Sequence, residues 1–175
     1  HGERVEAAKR NPALGPEVGG VAEHIEQLLA RLAVDDAVGL DVMRHVGDVA
    51  LALHRLPQPT IAKVRGVAVG VGCNMALGCD LVVASDTARF SQIFSKRGMS
   101  LDGGGSWLLP RRIGLHRAKE MAFFADIIDA AEADRIGLVN RVVPDAQLDA
   151  FVAEWTDRLI ALPPIALAQS KRMLN

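Results

Sequence analysis

The sequence predicts an α/β fold with a helical tail, and three observations carry that prediction. Apolar residues recur at helical spacing before Pro57, the period changes to alternation at Thr60, and a glycine-punctuated turn then joins two strand-like runs. Strand, glycine turn, short helix and strand make a compact βαβ unit of the parallel kind. With 175 residues, half of them apolar, the chain has material for one domain with a real core. The α/β part runs from residue 1 to about residue 114, and a helical region follows over 115–175.

Taken in order, residues 1–20 are polar and broken by Pro12, Gly15, Pro16, Gly19 and Gly20, which predicts a loop or lid. Val21, Ile25, Leu28, Leu29 and Leu32 predict an amphipathic helix over 21–33. Val42, Val46, Val49, Leu53 and Leu56 share a second helical face over 41–56, which Pro57 and Pro59 stop. Both stripes read as core packing. Residues 60–65 alternate like a half-buried strand, residues 73–77 suit a short helix, and residues 80–85 read as the next strand. A loop rich in glycine follows Phe90, with Ser106 as N-cap of a helical run over 106–125. Asp129 and Glu132 have capping-box spacing and open a helix that ends near Gly137. Residues 138–143 read as a short extended piece, and two helices, 145–162 and 163–174, divide at Pro163-Pro164.

Composition narrows the function classes. Twenty basic and 21 acidic side chains give a net charge of −1, which lacks the electrostatic footprint of a nucleic-acid binder. The longest uncharged stretch, Gly66 to Cys79, is 14 residues with four glycines, too short to span a bilayer. Two cysteines, Cys73 and Cys79, are too few for a disulfide scaffold; they read as small buried hydrophobes in a reducing cytoplasm. The five histidines have no metal-ligand spacing, so no metal is expected. The chain opens on His1-Gly2-Glu3-Arg4 with no apolar run behind it and no initiating Met, so further residues are expected upstream.

Two places can hold chemistry. Glycines from Gly66 to Gly72 precede the short helix, where N–H groups have no intrahelical partner and the dipole adds positive charge. Such a place can hold a phosphate or the oxygen of an enolate, and the same glycines equally serve close helix–strand packing. No Gly-Lys-Ser/Thr follows, and Met75 stands where a dinucleotide fingerprint needs its third glycine. The second place is Asp102, followed by Gly103, Gly104 and Gly105. A carboxylate on such a loop can reach a substrate, although an Asp-Gly pair is more often simply a turn. Ser91, Ser100 and Ser106 lack a nucleophile-elbow context. Lys96-Arg97 and Arg111-Arg112 can meet phosphate groups but read by default as solvated faces.

The run PTIAKVRGVAVGVGCNMALGCDLVVASDTARF at 59–90 resembles the crotonase superfamily, the enoyl-CoA hydratase/isomerase group. SLDGGGSWLLPRRIG at 100–114 and AAEADRIGLVNRVVP at 130–144 follow in family order and spacing. The likeness covers most of the chain from residue 41 onward.

The resemblance implies a spiral of repeated ββα turns with a C-terminal helical oligomerisation region that packs into trimers or hexamers. It implies an acyl-CoA thioester as substrate, no cofactor beyond the CoA of that thioester, and no nucleic-acid or membrane partner. Two backbone N–H groups hold the thioester oxygen in such enzymes, and the second maps to Val71. The first lies in an Ala-Gly-x-Asp motif, which the chain lacks; that motif and the first strands are expected ahead of His1. The two hydratase glutamates map to Asn74 and Phe94, neither of which transfers a proton. Asp102 falls where isomerase-type members, similar to the phenylacetate-pathway epoxide isomerases, carry their catalytic aspartate. The expected function is therefore an acyl-CoA isomerase with Asp102 as acid/base, Val71 as oxyanion donor, and Ala68, Gly70, Gly72, Asn74, Phe94, Met99, Leu101 and Trp107 at the substrate. Phe94 is expected to dry the pocket and raise the Asp102 pKa. The alternatives are an enoyl-CoA hydratase or lyase, an acyl-CoA hydrolase or dehalogenase with Asp102 as nucleophile, and a non-catalytic CoA-binding homologue.

Overall fold

The computed structural model of the protein describes residues 36–175. Contacts divide the chain into two units, His1–Met43 and Arg44–Asn175, and the fold below is that of the second. The loop expected over 1–20 and the helix expected over 21–33 lie outside the described residues.

Helix α1, Asp36–His54, begins earlier than its apolar stripe suggested and ends before Pro57. Two strands follow, β1 (Ile61–Val64) and β2 (Val67–Val69), joined at Gly66 with φ 73°. That left-handed corner turns the chain out of one sheet and into another. Helix α2 (Val71–Gly78) then returns it to β3 (Leu81–Ser85), which pairs parallel with β1, Ile61 opposite Leu81. The crossover between these parallel strands thus contains a strand of its own, β2, as well as the expected short helix.

The pattern repeats. Strand β4 (Arg89–Ser91) pairs parallel with β2, with Phe90 opposite Ala68. Helices α3 (Gly105–Ile113) and α4 (Leu115–Phe124) come next. Strand β5 (Ile128–Asp129) runs antiparallel to β4, helix α5 is Ala130–Arg135, and β6 (Arg141–Val143) joins β3 in parallel. One sheet has the order β1-β3-β6 and the other β2-β4-β5. Strand, strand, helix is the repeating turn of a ββα spiral; within the helical region 115–175, β6 falls in the extended piece expected over 138–143, while β5 is a strand the sequence reading lacked. Helices α6 (Leu148–Ile160) and α7 (Pro164–Leu174) close the chain.

Two expectations about α3 need correction. The run over 106–125 is two helices, because Gly114 at φ 78° breaks the ladder between Ile113 and Leu115. Ser106 lies inside α3, not at its cap; Gly104 takes the cap in the left-handed region with φ 80°. Asp129 does cap α5, its Oδ1 accepting the Glu132 N–H at 2.8 Å, while Glu132 turns to Arg135 at 2.6 Å.

The core is formed by fully buried Leu77, Val83, Phe90, Leu109, Leu138 and Leu148, which come from α2, β3, β4, α3, the connection between α5 and β6, and α6. At the far end of β1 and β3 a polar clamp anchors α7. The buried Lys171 Nζ donates to Asp80 Oδ2 at 2.7 Å and to the Gln58 carbonyl at 3.0 Å, and Thr60 donates twice to the same Asp80 oxygen. Among the described residues no helix is long and apolar enough to cross a membrane, and no three His, Cys, Asp or Glu side chains cluster for a metal.

Candidate active site

Three segments meet at one place: the turn that starts α2, the stretch 92–94 after β4, and the loop 99–104 before α3. Gly70 makes the first possible. Its φ is 55°, and a Cβ there would sit 3.5 Å from Ile93 Cγ2 and 3.6 Å from Phe94 Cζ. Its N–H donates to the Ser91 carbonyl at 2.9 Å, which ties the start of α2 to the end of β4. The first N–H groups of a helix have no acceptor within it, and Gly70 brings no side chain to cap them. They carry the positive end of the helix dipole.

Val71 is the first residue of α2 and lies outside the left-handed region, so its backbone accommodates a branched side chain. Its Cγ1 lies 3.7 Å from the position a Cβ on Gly103 would occupy. The Asp102-Gly103 segment therefore rides on the first turn of α2. Gly103 and Gly104 have φ 52° and 80°, so the glycines after Asp102 form a tight left-handed turn. The turn expected of the Asp-Gly pair exists, and it carries a carboxyl whose Oδ1 is buried.

Asp102 is half-buried. Its Oδ1 is buried and has no hydrogen-bond partner, and burial pushes the carboxyl above its ordinary range. Its backbone carbonyl accepts from the Gly105 N–H at 2.9 Å and from Asn74 Nδ2 at 2.8 Å. Phe94 is 4% exposed and packs at Gly70, so the apolar side of the site lies beside the helix start.

The other expected residues divide. Asn74 is in the site, but its amide is committed within the protein: Nδ2 donates to Asp102 and Oδ1 accepts from Gln92 Nε2 at 2.8 Å. Ala68 is buried in the core. Gly72 is exposed on the first turn of α2, and a Cβ there would meet nothing within 4 Å. Met99 is 39% exposed and Leu101 half-buried, both in the loop that leads to Asp102. Trp107 is turned to an outer cluster, with the His54 ring at 5.2 Å edge-on and the Arg111 guanidinium at 4.0 Å over its face. Helix phase explains this placement, since Trp107 and Leu109 stand two residues apart within one turn of α3 and so project to opposite sides, Leu109 into the core.

Sequence reasoning missed Gln92, which is fully buried and donates to Asn74. A polar residue between Phe90 and Phe94 was its only signal. The paired bases serve the fold: Arg112 Nη2 donates to the Leu77 and Cys79 carbonyls at the end of α2, and Lys96 pairs with Asp126 at 2.9 Å. A separate cavity of about 210 Å³ is bounded by Arg117, Glu120, Asp126, Glu132 and Arg135 and contains none of the site residues. Its Arg135 is already paired with both Glu132 oxygens at 2.6 Å.

The sequence profile of the enoyl-CoA hydratase/isomerase family matches residues 37–175. A Rhodobacter capsulatus protein named "Probable enoyl-CoA hydratase" is 42% identical over 127 residues, 71% of this chain and 48% of its own length. The 1,2-epoxyphenylacetyl-CoA isomerase of Escherichia coli is 36% identical over 138 residues, 79% of this chain and 53% of its own. An enoyl-CoA hydratase-like structure from Thermobifida fusca YX, solved in complex with CoA, superposes with a TM-score of 0.76 at 38% identity, covering 80% of this chain and 55% of that one. The chain spans about half the length of the curated relatives it matches. The spiral topology agrees with these likenesses, and the chain belongs to the enoyl-CoA hydratase/isomerase family.

Proposed function

We propose that the protein is an acyl-CoA isomerase in which Asp102 moves a proton between two carbons of a CoA thioester. One observation carries the reading: Asp102, whose Oδ1 is buried and without a partner, sits on the turn that packs against the first turn of α2. The family resemblance adds that Asn74 and Phe94 map to the places of a hydratase's two acids. The Val71 N–H donates to the thioester oxygen as enolate charge develops there. Losing one such donor typically lowers a rate by about 10²–10³-fold. Asp102 removes a proton from one carbon and returns it at another along the delocalised chain. Its raised pKa suits both halves of that task, because a general acid/base works best when its pKa approaches the operating pH.

The hydratase reading has its own support in the names of most relatives. Against it, hydration needs a group to activate water, and the Asn74 amide is already bonded on both sides. Nucleophilic use of Asp102 gives a third chemistry, marked by a covalent aspartyl ester. The same proposal includes a homo-oligomer, in keeping with the exposed Phe123, Phe124, Ile160 and Ile165, and a cytoplasmic setting, in keeping with two unbridged thiols.

The test is product analysis with positional isomers of enoyl-CoA thioesters, wild type against Asp102→Asn. Double-bond migration that falls by about 10²–10⁴-fold in the variant is expected. Wild-type migration in Asp102→Asn overturns the role of Asp102. A 3-hydroxyacyl product without migration supports the hydratase reading, and an aspartyl ester seen by mass spectrometry supports the nucleophile.

A further inference from the structure

A directed chain of hydrogen bonds stands behind Asp102. Gln92 Nε2 donates to Asn74 Oδ1 at 2.8 Å, and Asn74 Nδ2 donates to the Asp102 backbone carbonyl at 2.8 Å. Both side chains are fully buried. The direction is forced by its last member: a backbone carbonyl only accepts, so Asn74 must turn its NH2 to Asp102 and its oxygen to Gln92. Gln92 must then present its own NH2. Flipping either amide brings two oxygens face to face. Gln92 Oε1 is left buried without a partner, an arrangement that persists in native folds only when something else fixes the amide.

The space around Asn74 is kept open. A Cβ on Gly105 would stand 2.4 Å from Asn74 Nδ2 and 2.8 Å from both Cγ and Oδ1, closer than real contacts allow. Gly105 is the first residue of α3 and does not lie in the left-handed region, so its backbone does not call for glycine. The missing side chain is what the Asn74 amide requires.

We propose that Asn74, oriented by Gln92 and given room by Gly105, is a positioning residue that fixes Asp102 over the first turn of α2. The proposal rests on the reading of Asp102 as the proton carrier. It also explains why an acid does not serve at residue 74: a carboxylate oxygen there would oppose the Asp102 carbonyl oxygen and release the loop.

The test is a ¹³C NMR titration of the Asp102 carboxyl in the full chain, with turnover measured alongside. Asn74→Ala and Gly105→Ala are compared with wild type and with Gly47→Ala, a helical glycine with open space around it. In both site variants the Asp102 midpoint moves down toward the ordinary carboxylate range, and kcat falls on the order of 10²-fold with little change in KM. Gly47→Ala moves neither. An Asp102 midpoint unchanged in folded Asn74→Ala and Gly105→Ala overturns the proposal. Gly105→Ala keeps every hydrogen-bonding group and adds a helix-favouring residue, so it decides the matter if Asn74→Ala does not fold. Should Asp102→Asn keep full turnover, the proton-carrier reading falls, while the Asp102 titration still judges the positioning role by itself.

Discussion

Replacing Asp102 by asparagine preserves the shape of the side chain and removes its charge. In the folded chain the carboxyl ionises at higher pH than the 3.8 ordinary for aspartate, because burial penalises the charged form. Between those two values the folded state holds a proton that the unfolded state has released, so raising the pH favours unfolding. Stability therefore falls as pH climbs from the unfolded pKa through the folded one, and stays lower at neutral pH. Below the unfolded pKa both states are protonated and the penalty vanishes. Asparagine keeps a polar atom at the same place, so what it relieves is the desolvation of the charge, typically about 1–3 kcal/mol for a buried group. The residue is only half-buried, which places Asp102 at the low end, about 1 kcal/mol. For a chain of this length that is a rise of about 2–4 °C in Tm for Asp102→Asn at neutral pH. Urea and thermal unfolding of both proteins between about pH 3.5 and pH 8 measure it. The gain appears at the neutral end and disappears at the acid end. An asparagine variant that is less stable than wild type at neutral pH refutes the picture of an unpaired, desolvated carboxylate.

Other perturbations have equally definite outcomes. Lys171→Met leaves Asp80 with only its Thr60 donors and lowers unfolding stability by about 3 kcal/mol, the low end for a broken buried pair, whereas Lys63→Met, at an exposed pair with Asp149, changes less than about 1 kcal/mol. Urea midpoints distinguish them. Gly70→Ala forces a side chain to φ 55° beside Ile93 and lowers stability by about 1–2 kcal/mol, while Gly72→Ala, in open helical space, is neutral or stabilising. Burial pushes the Cys73 thiol up to about 12 and raises Cys79 as well, so neither thiol reacts quickly with iodoacetamide at about pH 8 until the chain is unfolded. Fast labelling of Cys73 in the native chain, read by peptide mass spectrometry, contradicts this.

Much of the fold is legible because its signals are local. The change of period at Thr60, the glycines before α2 and the Asp129 cap each announce themselves within a few residues, and each appears in the structure. Strands β2 and β4 were harder to read because three residues are too few for alternation to register. Apolar residues on both sides of Gly114 gave one continuous stripe and hid the break between α3 and α4. At the site, Asp102 and the start of α2 were legible as a lone acid beside glycines and as glycines before a helix. The role of Asn74 was not, since its partners lie 18 and 28 residues away and hydrogen bonds of that span leave no local pattern. Gly105 reads like its neighbours in sequence, yet Gly103 and Gly104 supply backbone freedom while Gly105 supplies space. The resemblance puts Trp107 at the substrate, whereas the structure turns it to His54 and Arg111, and helix phase of that kind is not fixed by the motif alone.

The central claim is that Asp102 exchanges protons with a carbon acid whose enolate oxygen rests on the start of α2. Incubation of an acyl-CoA in deuterated water, followed by mass spectrometry of the recovered thioester, tests this without requiring net turnover. Wild type is expected to introduce deuterium beside the carbonyl or along the unsaturated chain, and Asp102→Asn to do so at least about 10²-fold more slowly. Deuterium entering at the same rate with asparagine at residue 102 contradicts the claim.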